Sequence, residues 1–183
     1  MVPLAPGVLL IAEPPMADPN FRRAVVLLCE HTTEGSFGLV LNRPAEFRLA
    51  EVATVPLPFD TPLGYGGPVQ PETLHVLHPF GDAVEGALPV ADGVWWGGAF
   101  EHLLEGIEGG WLDATRMRFF LGYSGWGGGQ LDAEVDEDSW IVLPATDTLV
   151  FTEGADALWR GILRGLGGEY ALLSTFPDDP RMN

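Results

Sequence analysis

The sequence predicts an α+β domain: a large, mixed, mostly antiparallel sheet, barrel-like in its curvature, with a few short helices. Three observations predict it. Short apolar runs recur between turn signals, too brief for helices and suited to buried strands. Strands crowd the first half and short helical spacings are scattered after them, which does not match a βαβ alternation. No sequence period recurs and no linker interrupts the chain, so its 183 residues, 46% hydrophobic, are expected to form one domain over 1–183.

Val8 to Ala12 and Ala24 to Cys29 read as strands, separated by Glu13-Pro-Pro-Met-Ala-Asp-Pro-Asn20, whose prolines forbid regular structure. After the turn Thr32-Thr-Glu-Gly35, Phe37 to Leu41 reads as a third strand, an antiparallel hairpin partner of the second. Pro44 to Pro62 is proline-rich with a brief helical stretch near Leu49 to Ala53. Val69, Leu74 to Leu77 and Val94 to Trp96 are β-prone, and Asp82 to Gly93 carries turn signals. Apolar residues at 100, 103, 104 and 107 have helical spacing. Met117 to Tyr123 is the strongest strand of the second half; it runs into the glycine-rich loop Ser124 to Gly129 and a short helix from Gln130. Trp140 to Leu143 and Thr148 to Phe151 are read as further strands, and Ala157 to Leu166 as a helix stopped by Gly167-Gly168.

Composition narrows the function classes. The longest apolar runs fall far short of the roughly 18 residues of a membrane-spanning helix, so no membrane is expected as a partner. Met1 to Ala12 has no basic segment ahead of its apolar run, and Cys29 is the sole cysteine, so a reducing, cytoplasmic setting is expected. The net charge is −17, from 26 carboxylates against nine arginines and no lysine. Phosphate backbones repel such a chain, which disfavours direct nucleic-acid binding.

The segment Pro14 to His31, followed by Glu34-Gly-Ser-Phe-Gly-Leu-Val-Leu-Asn-Arg-Pro44, closely resembles the opening signature of the YqgE/AlgH family of uncharacterised bacterial proteins. Later blocks extend the likeness: Gly66-Gly-Pro-Val69 with Leu77-His78, Leu121-Gly-Tyr-Ser-Gly-Trp126 with Gly129-Gln-Leu131, and Trp140 with Pro144. The resemblance runs from about Pro6 to Gly168 and implies a compact α+β domain with a large mixed sheet. It implies no catalytic residues and no cofactor. Some members carry a transcriptional-regulator label that comes from a genetic link to alginate production.

Several constellations bear on chemistry. Cys29 and His31 would share a strand face, the arrangement of a thiol nucleophile and its base; a lone cysteine that ends an apolar run, as Cys29 does, is more often a small buried hydrophobe. His31, His78, Glu30 and Glu34 are possible metal ligands, whereas His75 and His78, three apart on one strand, would face opposite ways. Gly122 to Gln130 invites comparison with a nucleophile elbow and a phosphate loop. The first needs glycine where Trp126 stands and the second needs a lysine. What remains is a run of backbone amides for an anion, or tight packing under Trp126. Arg22, Arg23 and Arg43, beside the turns at Asn20 and Asn42, would form one positive spot on an acidic body, open to a carboxylate or phosphate or paired with the chain's own Asp18, Glu30 or Glu34.

The functional expectation is a noncatalytic regulatory or binding protein, with no cofactor and no metal, whose partner is a protein or a small anionic ligand. Its candidate binding residues are Asn20, Arg22, Arg23, His31, Asn42, Arg43, Gly67, His78, Ser124, Trp126 and Gln130. The alternative is a hydrolase or transferase using Cys29, His31 or His78.

Overall fold

In the computed structural model, which describes residues 2–152, 154 and 157–177, alternation along the first strands sorts the core. Strand β1 (Val8–Ala12) and β2 (Val25–Thr32) send Leu9, Ile11, Val25, Leu27 and Cys29 into one apolar layer, where β3 (Gly35–Val40) is followed by Leu41. Val8, Leu10, Ala12, Ala24, Val26, Leu28 and Val40 enter a second layer on the opposite face. A sheet covered on both faces needs apolar residues at every position, which is why these strands read as unbroken runs.

The remaining strands are β4 (Pro44–Arg48), β5 (Pro62–Tyr65), β6 (Val69–His78), β7 (Ala87–Ala91), β8 (Val94–Gly97), β9 (Arg118–Gly127) and β10 (Trp140–Pro144). Their spatial order is β10-β1-β2-β3-β9-β6-β8-β7, with β4 and β5 attached beside β9. Every pairing is antiparallel except β5 with β9. The result is an α+β fold with a curled, half-barrel sheet.

The curl has its corner on β9. Phe119 to Leu121 pair with β5, whereas Ser124 to Gly127 pair with β3. Between them Gly122 takes φ +66°, and a Cβ there would lie 2.6 Å from the Gly67 carbonyl oxygen. Gly67 is packed as closely: an added Cβ would lie 2.2 Å from the Tyr123 oxygen and 2.4 Å from the Ser124 nitrogen. Only glycine lets the strands meet at this distance.

Short helices cover the layers. α1 (Leu49–Val52) lies between β4 and β5; α2 (Phe100–Glu108) buries Leu103 in a third apolar cluster with Phe119 and Leu121. α3 (Gln130–Asp136) places Leu131 in the second layer, and α5 (Leu158–Leu166) puts Leu158, Trp159, Ile162 and Leu163 into the first. α4 (Asp147–Val150) replaces the strand expected over Thr148 to Phe151: the Thr146 hydroxyl accepts from the Leu149 amide at 3.3 Å and caps a helical turn. Gly167 ends α5 as expected, but the chain re-enters a helix at once, α6 (Gly168–Leu173). Among the described residues no helix is long and apolar enough to cross a membrane.

Candidate functional site

Sequence-distant arginines meet at one end of β2. The Asp18 carbonyl accepts from the Phe21 and Arg22 amides, and its carboxylate accepts from the Asn20 amide at 2.8 Å, so the β1–β2 loop turns tightly before the strand begins. Arg23 leaves that turn with φ +57°, a conformation disfavoured for a side chain with a Cβ. Asn42, nearly buried, clamps it: Nδ2 donates to the Arg23 carbonyl at 2.8 Å while Oδ1 accepts from the Val25 amide at 2.8 Å. Next to it, the Arg43 guanidinium donates to the Arg22 carbonyl at 2.6 Å.

Helix α5 closes the other side. The Trp159 indole donates to the Ala12 carbonyl at 2.8 Å, and the Arg23 guanidinium lies 5.0 Å above its ring. Arg23 also donates to the Phe176 and Pro177 carbonyls, and Arg160 to the Ser174 carbonyl. Together these elements enclose a cavity of about 570 Å³ lined by Arg22, Arg23, Arg43 and Arg160, with Asn42 and Trp159. Four of the chain's nine arginines thus face one cavity of a protein with 26 carboxylates, and none of its described lining residues is acidic. Glu30 and Glu34 lie toward the far end of the β2–β3 hairpin.

The other predicted residues do not converge there. Asn20 is an exposed member of the turn and does not line the cavity. His31 stands near the β2–β3 turn, its Nδ1 2.8 Å from the Ser36 hydroxyl and its Nε2 3.8 Å from the Asp132 carboxylate. Cys29 lies in the first apolar layer, its thiol directed at the Leu27 carbonyl, and burial pushes that thiol far above its ordinary range. A bulge between Leu28 and Glu30 breaks the alternation that would align it with His31. His78 is fully buried; Nε2 bonds the Gly97 carbonyl at 2.9 Å and Nδ1 accepts from the Phe80 amide. His75, on the same strand, instead packs among Phe37, Trp96 and Tyr123.

Ser124 and Gly67 belong to the β9 corner, where the serine hydroxyl donates to the Gly66 carbonyl at 3.0 Å. Trp126 and Gln130 belong to a packed polar cluster. The Trp126 and Trp140 indoles both donate to Glu134 Oε2, at 3.0 and 2.8 Å, and Gln130 links the Gly127 amide to Glu134. The glycine-rich loop is therefore fastened by its own side chains. Among the described residues no three His, Cys, Asp or Glu side chains are grouped to hold a metal ion.

Comparison with known proteins agrees along the whole fold. A UPF0301 protein of Chlorobaculum tepidum is 46% identical over 180 residues, covering 98% of this chain and 96% of the relative. One from Chlorobium limicola is 43% identical with the same coverage. The crystal structure of a Corynebacterium diphtheriae protein superposes with TM-score 0.77 at 26% identity, covering 96% of this chain and 94% of that one. The solution structure of AlgH from Pseudomonas aeruginosa gives 0.72 at 32% identity, covering 98% and 100%. The AlgH-like family model matches residues 9–171, and the chain belongs to that family.

Proposed function

We propose that this chain is a noncatalytic binding protein that receives a small anionic ligand in the cavity of Arg22, Arg23, Arg43 and Arg160. The observation that carries the reading is the concentration of guanidinium groups on one concave surface of a strongly acidic chain. Guanidinium forks match carboxylate and phosphate oxygens, and the charge-assisted bonds they form are stronger than neutral ones. The cavity joins the β1–β2 loop, the end of β3 and helix α5. An anion there would tie these segments together, which is how a binding event becomes a regulatory signal.

A cytoplasmic regulatory role fits this reading, exerted through occupancy of the cavity. The net charge of −17 opposes a DNA-binding mode. The nucleophilic alternative draws no support from Cys29 or His78, since the thiol is buried and both ring nitrogens of the histidine are engaged.

Isothermal titration with inorganic phosphate, pyrophosphate and acetate, alongside a short DNA duplex, tests the proposal. Saturable binding of an anion that is lost in the Arg22→Gln, Arg160→Gln double variant is the expected result. Binding unchanged in that variant, or heat only with the duplex, would overturn it.

A further inference from the structure

Arg118 opens β9 beneath α4, outside the cavity already described. Its guanidinium donates to the Val150 carbonyl at 2.7 Å and to the Leu41 carbonyl at 2.6 Å, and it lies 5.0 Å over the Phe120 ring. A guanidinium has five N–H donors, so the two neutral carbonyls leave others to be used. It forms no ion pair with a carboxylate of the described residues. Removal from water pulls its pKa down to about 10, the mark of a cation with no counter-charge to compensate its burial.

Space is available beside it. Arg118 lines a cavity of about 420 Å³ together with Arg43, and the hydroxyl-bearing Thr61, Thr115 and Thr152 also face that space. None of its described lining residues is acidic, and its walls are otherwise apolar, including Leu63, Phe119 and Phe151. A second hollow of about 410 Å³ shares Thr115, Arg118, Phe151 and Thr152, and adds Arg116 and Asp147.

We infer that the cavity between Arg118 and Arg43 is a binding site for a small dianion, with one anionic group on each arginine and an apolar spacer against Leu63, Phe119 and Phe151. The deep guanidinium supplies the fixed fork, because two backbone carbonyls already hold its plane. Arg43 supplies the second charge from the rim. Two cations facing one space select two anionic groups over one, and the apolar walls select a carbon spacer over a chain of phosphates. This cavity and that of the proposed function share Arg43, but of the two Arg118 lines only this one and Arg22, Arg23 and Arg160 only the other, so substitutions at Arg118 and Arg160 tell a failure of this inference from a failure of the proposed function.

The test is a titration of uniformly ¹⁵N-labelled wild-type protein, following the Arg118 Nε–Hε signal and the amides of Leu63, Phe119 and Phe151. Glutarate, 3-phosphonopropionate and butyrate serve as dicarboxylate, mixed dianion and monoanion. Saturable shifts are expected with at least one dianion, with butyrate about tenfold weaker. The tighter dianion identifies the end group. Arg118→Lys keeps the charge but loses the fork, and is expected to weaken binding about tenfold with an otherwise native spectrum, whereas Arg160→Gln leaves it unchanged. Unmoved Arg118 signals at roughly 50 mM of every probe would overturn the inference. Equal affinity for butyrate would overturn it too, as would sensitivity to Arg160→Gln without sensitivity to Arg118→Lys.

Discussion

Replacing Asn42 with alanine tests how the arginine cavity is held in shape. The amide side chain satisfies two backbone groups at once, the Val25 N–H and the Arg23 carbonyl, each at 2.8 Å. Val25 is 0% exposed, so water cannot reach its freed amide and the loss is that of an unsatisfied buried donor, about 1 to 3 kcal/mol. The Arg23 carbonyl belongs to a half-buried residue and regains part of its bond from solvent, adding at most about 1 kcal/mol. A total of about 1 to 4 kcal/mol follows, or roughly 2 to 16 °C in melting temperature for a domain of this size. Urea denaturation followed by tryptophan fluorescence measures it. Arg23 also loses the partner that stabilises its φ of +57°, so anion affinity at the cavity should fall even though no arginine has been changed. Asn42→Asp separates the two bonds, since it keeps the acceptor for Val25 and sets a carboxylate oxygen against the Arg23 carbonyl. A loss below about 0.5 kcal/mol in Asn42→Ala would refute the clamp.

Three further outcomes follow from the geometry. Gly67→Ala forces a Cβ to within 2.4 Å of three backbone atoms of Tyr123 and Ser124, so the variant should lose more than about 3 kcal/mol and accumulate as insoluble protein; a soluble product with a native spectrum would contradict the packing at the β9 corner. Cys29 should resist a disulfide reagent in native buffer and react fully in denaturant, because burial holds its thiol protonated; rapid labelling of the folded protein would show the site to be open. Desolvation lowers the pKa of both His75 and His78 below the ordinary 6.5, with a bond to the Gly97 carbonyl partly opposing it at His78. The unfolded chain therefore binds the protons more readily, and their contribution to stability is complete above 6.5 and declines as the pH falls through the lowered values. NMR titration of the folded protein should place both ring midpoints below 6.5, and a midpoint above it at either ring would reverse the sign.

The strands legible in the sequence are those whose burial leaves a simple mark. β1, β2 and the start of β9 are covered on both faces and appear as continuous apolar runs. β4, β5 and β7 left no such mark. Pro44 and Pro62 open β4 and β5, where a missing N–H is tolerated at a strand's first residue, but in the sequence the same prolines read as loop. β7 buries only Val90 among five residues, too little for a period to register. Thr148 to Phe151 was β-prone by composition, and the cap at Thr146 decided for helix.

The site was legible to the same degree. Arg22, Arg23 and Arg43 are brought together by adjacent turns, so their meeting could be read from a hairpin. Trp159 and Arg160 reach the cavity only because α5 returns under the β1–β2 loop, and Arg118 reaches its separate cavity beside Arg43 only because β9 runs beneath α4; no local pattern encodes either approach. Ser124, Trp126 and Gln130 stood out because glycine-rich loops and polar residues mark both ligand sites and tight packing, and here packing accounts for them.

The order of the strands also sets how this chain must acquire its shape. β3 finds its inner neighbour in β9, with Gly35 opposite Gly127, and β1 waits for β10, with Val8 opposite Pro144. During synthesis the most apolar strands emerge first, and the helices that cover their faces, α3 and α5, emerge late. The β2–β3 hairpin is thus exposed on the ribosome with both faces uncovered until most of the sequence has been made. Distant pairing of this kind slows folding and makes it a single late event, so a nascent chain halted before β9 is a candidate for chaperone capture, and a truncated one for aggregation.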